Sequence, residues 1–228
     1  KMVSTSTHIS YPGAKTDIDR QMEDGCLMMN YTGHGNPRTF SDEYVLQLTD
    51  FEKYSSPRVP IWVSAGCDIA PFDMEEDCIG KTAVCQPIGS ALAFYGTART
   101  TYAPQNSSMN GYFTGFVLGC DEDGRRYTLG DAVRLSKVNL VTAGGSTDYT
   151  VNKFHYVLLG DPAVKLGVPE YKIVVDSING KILDTDVLQE FKAGSLVRVA
   201  GHVETMAGER FPAFQGTVNI TAYDSKSC

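Results

Sequence analysis

A histidine between two glycines is the first feature of this sequence that could do chemistry. His34 lies between Gly33 and Gly35, directly after the apolar run 26–31. Glycine on both sides lets the backbone turn sharply and lets another chain come close. A strand over 26–31 would therefore present one imidazole at an open rim. The alternative is a tight turn that merely carries a surface histidine.

A cysteine follows a second apolar run in the same way. The run 59–65 ends in Gly66, Cys67 and Asp68. A thiol and an imidazole at two strand ends are typical of a cysteine nucleophile and its general base. A buried cysteine with a purely structural role is the competing interpretation.

Peptide cleavage by a thiol has requirements that these residues could meet. The reactive form is the thiolate, so a nearby imidazole such as His34 must accept the proton of Cys67. Amide donors must also face the oxyanion that develops on the substrate. The backbone amides of Gly35 and Cys67 are the predicted donors, and a missing Cβ at Gly35 would leave room for the substrate carbonyl.

Apolar runs alternate with helical patterns over the first three quarters of the chain. Further strands are predicted over 90–96 and within the apolar run 154–162. Helices are predicted over 14–23, 42–48, 77–85, 106–118 and 128–141. This alternation predicts an α/β three-layer sandwich with a mostly parallel sheet.

The predicted sites all follow strand ends. In parallel sheets, binding sites form beyond the carboxyl ends of the strands. His34, Cys67 and the polar loop 97–102 occupy such positions, and we expect Thr97 and Arg99 in that loop to contact substrate. For Arg99, a solvated surface arginine is the alternative.

The sequence changes character near residue 168. Three β-rich runs, 171–175, 196–200 and 217–223, follow one another without a helical pattern between them. We therefore predict two domains, an α/β domain over 1–167 and an all-β sandwich over 168–228 that holds too few strands to be complete.

Composition excludes several classes of protein. The net charge of −7 argues against nucleic acid as a partner, since phosphates call for a basic surface. No apolar run reaches the roughly 20 residues of a membrane helix. The six cysteines include no Cys-x-x-Cys pair, so we expect no structural zinc site.

Three further side chains have open interpretations. Asp68 and Asp73 could orient His34 or bind calcium, or they could simply form a solvated acidic loop. His155 lies inside an apolar run, which favours a packed core histidine over a ligand.

Several motifs together resemble the gingipain family of cysteine peptidases. They are Tyr-Thr-Gly-His-Gly at 31–35, Ser-Ala-Gly-Cys-Asp at 64–68, Gly-Thr-Ala-Arg-Thr-Thr-Tyr at 96–102, Leu-Gly-Asp-Ala-Val-Arg-Leu at 129–135 and Leu-Leu-Gly-Asp-Pro-Ala at 158–163. The resemblance implies a caspase-like α/β subdomain followed by an immunoglobulin-like domain. It also implies His34 as general base, Cys67 as nucleophile and a thioester acyl-enzyme.

Within that family the chain looks most like the surface sortases of the type IX secretion system of Bacteroidetes. That likeness implies an exported protein at the outer membrane surface that works with other type IX secretion components. Its partners would be secreted cargo proteins with a C-terminal sorting domain, which are cleaved and passed to an amine on lipopolysaccharide. No cofactor is expected, although structural calcium is possible in such proteins.

The sequence also departs from the family pattern. Lys81 stands where family members usually carry a glutamate, in the helix after the cysteine. We expect the chain to be part of a longer protein whose upstream half supplies an acidic residue that orients the histidine. A non-catalytic cell-surface binding module that retains the peptidase fold is therefore the alternative function.

Overall fold

The computed structural model describes residues 3–4, 9–87, 89–143, 150–183, 192 and 194–221. Contacts divide the chain into two units, Lys1–Val168 and Pro169–Cys228. The division falls one residue beyond the end predicted for the α/β domain. Each unit is described by itself.

The first unit alternates strands and helices. Its helices are α1 (Pro12–Asp24), α2 (Leu48–Phe51), α3 (Ile79–Cys85), α4 (Ala103–Leu118), α5 (Leu129–Ala143) and α6 (Thr150–His155). Its strands are β1 (Val3–Ser4), β2 (Ile9–Ser10), β3 (Met28–Thr32), β4 (Gly35–Asn36), β5 (Thr39–Phe40), β6 (Leu46–Gln47), β7 (Ile61–Ala65), β8 (Ala93–Thr97) and β9 (Tyr156–Leu159).

The main sheet has the strand order β3-β7-β8-β9. Strands β3, β7 and β8 are parallel, and β9 runs antiparallel to β8. The prediction of an α/β fold with a mostly parallel sheet is confirmed. Every residue of β7 and β8 is buried, as expected of inner strands covered on both faces. Strand β3 lies at the edge of the sheet and is only partly buried.

Two hydrophobic clusters cover the two faces of this sheet. Residues Trp62 and Phe94 face one cluster, which includes side chains of α1, α2 and α3. Their neighbours Val63 and Tyr95 face the other, which includes side chains of α4 and α5. The alternation follows from the two-residue period of a strand, and it gives the predicted three layers.

A small antiparallel sheet replaces the helix predicted over 42–48. Its order is β4-β5-β6, with Phe40 opposite Leu46. The helix prediction is wrong because Ser41 and Tyr44 both have positive φ angles, 61° and 54°, which interrupt a right-handed helix. Phe40 and Leu46 instead enter the core from paired strands.

The other four predicted helices agree with α1, α3, α4 and α5, whereas α2 and α6 were not predicted; the apolar run 154–162 agrees in part. Helix α6 occupies the start of this run, so the strand begins only at Tyr156. Because β9 is antiparallel, its first residue lies opposite Thr97, the last residue of β8.

The second unit contains an antiparallel sheet of three described strands. They are β10 (Tyr171–Ile178), β11 (Lys181–Ile182) and β12 (Val199–Thr205), in the order β11-β10-β12. The strand predicted over 217–223 is not found for residues 217–221, and 222–223 lie outside the described residues. The chain after β12 instead turns back, and Phe211 N–H donates to the carbonyl of Val203 at 2.8 Å.

Across the described residues, the helices are all too short or too polar to cross a membrane.

Phe40 should contribute strongly to the stability of the first unit. Its ring stacks on Tyr31 at a centroid distance of 4.5 Å, and Phe51 and Trp62 lie 5.8 and 5.9 Å away. Because Phe40 is 1% exposed, Phe40→Ala should lower the free energy of unfolding by about 3–5 kcal/mol in urea denaturation. The control, Phe72→Ala, removes a ring that is 50% exposed and should cost under about 1 kcal/mol. Equal losses would contradict this account.

Candidate active site

Parallel pairing of β3 with β7 brings His34 and Cys67 to the same edge of the sheet. The last pair in register is Thr32 with Ala65, and each strand reaches its functional residue two positions later. Pairing continues briefly beyond the strands, since Gly33 N–H donates to the Ala65 carbonyl at 3.4 Å. We call residues 33–35 the His34 turn and residues 66–70 the Cys67 turn.

Glycines allow the two turns to pack against each other. A Cβ on Gly66 would lie 3.0 Å from the Gly33 carbonyl oxygen. A Cβ on Gly35 would overlap the side chain of Ile69 and would lie 3.5 Å from the Cys67 carbonyl oxygen. The space beside Gly35 is therefore filled by Ile69, a core residue, and not by substrate as the sequence suggested.

The backbone of His34 is fixed, while its side chain is exposed. The His34 carbonyl accepts a hydrogen bond from Ser41 N–H at 2.9 Å and one from the Tyr31 hydroxyl at 2.5 Å. Burial raises the pKa of Tyr31 to about 12, so the phenol remains protonated and able to donate. Within the described ranges, neither ring nitrogen of His34 has a hydrogen-bond partner.

The thiol of Cys67 is held by the backbone of Thr101. Its Sγ lies 3.4 Å from the Thr101 carbonyl oxygen and accepts the Thr101 N–H at 3.4 Å. The Thr101 hydroxyl is 3.7 Å away. No hydrogen bond joins Sγ to His34, both of which the structure describes. Since β7 lies between β3 and β8, the thiol faces the β8 side of the edge, away from the His34 side.

The segment after β8, residues 98–102, is interlocked with the Cys67 turn; we call it the β8 loop. The Thr97 hydroxyl, just before this loop, donates to the Gly66 carbonyl. The Ala70 N–H in turn donates to the Thr97 carbonyl at 2.8 Å. These bonds hold the two segments at a fixed separation.

The expectation that Thr97 contacts substrate is wrong. Its side chain is 0% exposed, and its hydroxyl is used by Gly66. Thr97 therefore supports the backbone beside Cys67 from within the core.

Arg99 is exposed at the rim, but its guanidinium already has acidic and carbonyl partners. Its two terminal nitrogens lie 3.0 and 2.6 Å from the carboxylate oxygens of Asp73, and one also donates to the Ala98 carbonyl at 2.6 Å. The hydrogen bond from the Arg99 guanidinium lowers the pKa of Asp73 below its usual value. Substrate contact by Arg99 stays a prediction, and it would compete with this ion pair.

Neither acidic residue near the site orients His34. Asp68 has a positive φ of 54°, and its carboxylate accepts a hydrogen bond from the Thr100 hydroxyl at 2.8 Å. Asp73 is paired with Arg99. In the part of the chain that the structure describes, no group of three or more His, Cys, Asp or Glu side chains could hold a metal ion. Calcium therefore stays an untested expectation.

Helix α3 is hydrogen-bonded to the Cys67 turn and to Pro37, two residues after the His34 turn. Its first amide, Ile79 N–H, donates to the Pro37 carbonyl at 2.8 Å, and Gly80 N–H donates to the Ile69 carbonyl at 3.1 Å. The unusual Lys81 points elsewhere and forms an ion pair with Asp77 at 2.8 Å. The helix thus links the His34 and Cys67 sides of the site without contributing a carboxylate from position 81.

The predicted oxyanion donors are the backbone amides of Cys67 and Gly35. The amide of Cys67 has no acceptor among the described residues, so it is available to a substrate oxygen. Gly35 belongs to β4, where it lies opposite Phe40. Both roles stay predictions, as do those of His34 and Cys67 in catalysis.

Sequence reasoning missed a second histidine at this edge. His155 is half-buried at the end of α6, and its Nδ1 lies 2.7 Å from the Thr100 carbonyl oxygen. The expectation of a core histidine is therefore wrong. The reversed direction of β9 places His155 beside the end of β8, and no periodicity in the sequence reports that direction.

Comparison with known protein families identifies the family of the chain. Residues 1–167 match the family model of peptidase family C25. The chain belongs to peptidase family C25. The match ends where the first unit ends, so membership rests on the part that carries His34 and Cys67. No curated protein matches the chain at the level required for a significant relationship.

Solved structures support the fold. A crystal structure of the Arg-specific cysteine proteinase gingipain R (RgpB) is similar with a TM-score of 0.57 and 16% identity, over 71% of this chain and 39% of that one. The complex of Porphyromonas gingivalis RgpB pro- and mature domains gives 0.58 and 14%, over 71% and 40%. A structure described as a protease gives 0.54 and 15%, over 84% and 48%. The chain spans less than half the length of these C25-like structures.

The contact between Gly35 and Ile69 predicts a coupled mutational effect. Gly35→Ala should lower the free energy of unfolding by about 1–3 kcal/mol, because the new methyl group overlaps Ile69. In an Ile69→Ala background the same change should cost less, since the obstructing atoms are gone. Urea denaturation of the four proteins measures this coupling.

A matched control lies on α4. Gly111→Ala adds a methyl group where no atom lies within 4 Å, and it should raise stability by about 0.5–1 kcal/mol. Additive effects of Gly35→Ala and Ile69→Ala would show that the predicted overlap does not limit this site.

Proposed function

We propose that the protein is a cysteine peptidase in which His34 is the general base and Cys67 is the nucleophile. One observation carries the proposal: the parallel β3 and β7 deliver the two residues to one edge, with the His34 and Cys67 turns in direct contact. Membership of family C25 supports the same chemistry.

The reaction begins with transfer of the Cys67 proton to His34. The sulfur then attacks the peptide carbonyl carbon, and the carbonyl π electrons move to its oxygen. Collapse of this intermediate breaks the C–N bond, and the imidazolium of His34 returns the proton to the leaving amine. A thioester remains on Cys67 until water or another amine attacks it, losing a proton to His34, and displaces the sulfur.

Backbone amides complete this mechanism. The N–H of Cys67, which has no acceptor among the described residues, is the first donor in the proposal, to the oxyanion on a carbon bonded to the Cys67 sulfur. Gly35 is the second donor in the proposal. A side chain at position 35 would disturb this donor indirectly, by displacing Ile69.

The sulfur must turn before it can react with His34 as its base. At rest it is hydrogen-bonded to Thr101, on the β8 side of the edge. Rotation about the Cα–Cβ bond of Cys67 exchanges this position for one that faces the His34 side, and such rotamer changes are fast on the time scale of turnover.

We extend the proposal to a sortase-like role at the bacterial surface. The motifs shared with type IX secretion sortases of the PorU kind support cleavage of C-terminal sorting domains and transfer of cargo to an amine on lipopolysaccharide. In this proposal the antiparallel β10–β12 sheet belongs to an immunoglobulin-like domain. An acidic residue that orients His34 would come from outside the described residues, and calcium would be structural.

The alternative is a binding module that keeps the fold without the reaction. The hydrogen bonds between Cys67 and Thr101, with none to His34, favour taking this alternative seriously. The two functions differ in whether Cys67 reacts with a substrate-like electrophile.

Substitution at the two proposed catalytic residues tests the reaction. In the full-length protein, Cys67→Ala should remove cleavage of a fluorogenic peptide library and labelling by an acyloxymethyl ketone, because no nucleophile remains. His34→Gln should slow labelling by about 10²–10⁴-fold. The exposed Cys85 supplies the control, since Cys85→Ala should leave both signals unchanged. Labelling that persists without Cys67, or a wild-type Cys67 that stays inert, would contradict the proposal.

Hydrolysis and transfer are separated by product analysis. A sortase-like enzyme given a cleavable cargo peptide and glycinamide should form the peptide amide adduct in addition to the free acid, detected by mass spectrometry. An adduct whose share rises with glycinamide concentration supports transfer through the thioester. Free acid alone at every concentration would restrict the function to hydrolysis.

A further inference from the structure

We propose that Asn152 and His155 of α6 are positioning residues for the Cys67 thiolate. They hold the β8 loop so that the backbone N–H of Thr101 points at the sulfur. The inference rests on the proposed role of Cys67 as nucleophile, and it assigns a function to two residues of the chain segment just before β9.

Asn152 fixes the end of the β8 loop through a pair of hydrogen bonds to the backbone of one residue, Tyr102. Its Oδ1 accepts the N–H of Tyr102 at 3.1 Å, and its Nδ2 donates to the Tyr102 carbonyl at 3.1 Å. The side chain is 1% exposed, so these bonds are protected from water. Tyr102 directly follows Thr101, and fixing the backbone of Tyr102 restricts the orientation of the amide before it.

A buried network in turn fixes Asn152. Its Nδ2 also donates to Asn106 Oδ1 at 3.1 Å, and the Tyr156 hydroxyl donates to the same oxygen at 3.0 Å. Burial raises the pKa of Tyr156 far above its ordinary value, which keeps this hydroxyl a donor. The amide of Asn152 therefore has one favourable orientation, because reversing it would oppose donors to donors.

His155 fixes the other side of Thr101. Its Nδ1 lies 2.7 Å from the Thr100 carbonyl oxygen, which can only accept, so Nδ1 carries the proton. Its own carbonyl accepts the N–H of Ala98 at 2.8 Å. Thr101 is thus held from both sides: Thr100 before it is bound to His155, and Tyr102 after it is bound to Asn152.

The amide held in this way can stabilise negative charge on sulfur. Thr101 N–H donates to Cys67 Sγ at 3.4 Å, and a hydrogen bond to an ionised acceptor is stronger than one to its neutral form. The thiolate is the reactive form of cysteine, so we infer that this hydrogen bond favours alkylation of Cys67. The ionisable groups around the sulfur are His34 on the β3 side, Asp68 next in sequence, and Tyr156 and His155 on the β9 side.

Alkylation of Cys67 measures this effect without any substrate. Iodoacetamide labelling of the full-length protein, followed by peptide mass spectrometry, gives separate rates for Cys67 and for the exposed Cys85 in the same sample. His155→Ala should slow the alkylation of Cys67 about 10-fold, the equivalent of one lost hydrogen bond of roughly 1.4 kcal/mol, while the alkylation rate of Cys85 is unchanged. Asn152→Leu should act in the same direction.

A conservative variant separates hydrogen bonding from mere packing or charge. His155→Asn keeps an uncharged N–H donor near the position of Nδ1, and it should restore the Cys67 rate to within about twofold of wild type. Asn139→Ala removes an amide from α5, which has no hydrogen bond to the β8 loop, and it should have no effect. A Cys67 rate in His155→Ala that equals or exceeds wild type, with thermal unfolding unchanged, would overturn the inference, as would failure of His155→Asn to restore it.

The inference and the proposed function fail in different ways. If Cys67 alkylation depends on His155 but no peptide is ever cleaved or bound covalently, the positioning role stands and the peptidase function falls. If His155→Ala leaves both cleavage and alkylation intact, the peptidase function stands and the positioning role falls.

Discussion

The parallel pairing of β3 with β7 is the constraint on which the site depends. Parallel strands end at the same edge of a sheet, so the register that places Thr32 opposite Ala65 also places the His34 turn beside the Cys67 turn. A slip by one residue would reverse the faces of the whole strand, and the buried β7 cannot tolerate that change. The hydrophobic core thus brings the two turns that carry His34 and Cys67 to one edge of the sheet, although neither side chain belongs to the core.

Contact between the turns then depends on small residues. Gly66 packs against the Gly33 carbonyl, and the side chain of Ile69 occupies the space that a side chain at Gly35 would need. The glycines around the histidine are therefore needed for close packing of two backbones as much as for turning one of them. Helix α3 adds hydrogen bonds to the Cys67 turn and to Pro37 just after the His34 turn, so strand pairing, packing and the amides of Ile79 and Gly80 all constrain this edge of the sheet.

The sequence was sufficient for the features that local pattern controls. Apolar runs located β3, β7 and β8, and the glycines after the first two runs located His34 and Cys67, because strands and turns have short-range signatures. Features that depend on tertiary contacts could not be predicted from local sequence patterns. The direction of β9, the burial of Thr97 and the orientation of the Cys67 thiol all depend on partners distant in sequence. The failed helix at 42–48 has the same origin, since Phe40 and Leu46 pair across a sheet despite a local pattern that fits a helix.

In the proposed site, the two histidines on opposite sides of Cys67 have different roles. His34, on the β3 side, has no hydrogen-bond partner for its ring nitrogens among the described residues, which suits the proposed role of a base. His155, on the β9 side, already uses Nδ1 to hold the Thr100 carbonyl and is suited to fixing a loop. The sulfur is bonded to the Thr101 amide, whereas the proposed reaction requires it to turn toward His34 and give up that hydrogen bond. In the proposed mechanism, the orientation of the Cys67 side chain therefore matters as much as the strand pairing that brings it to this edge.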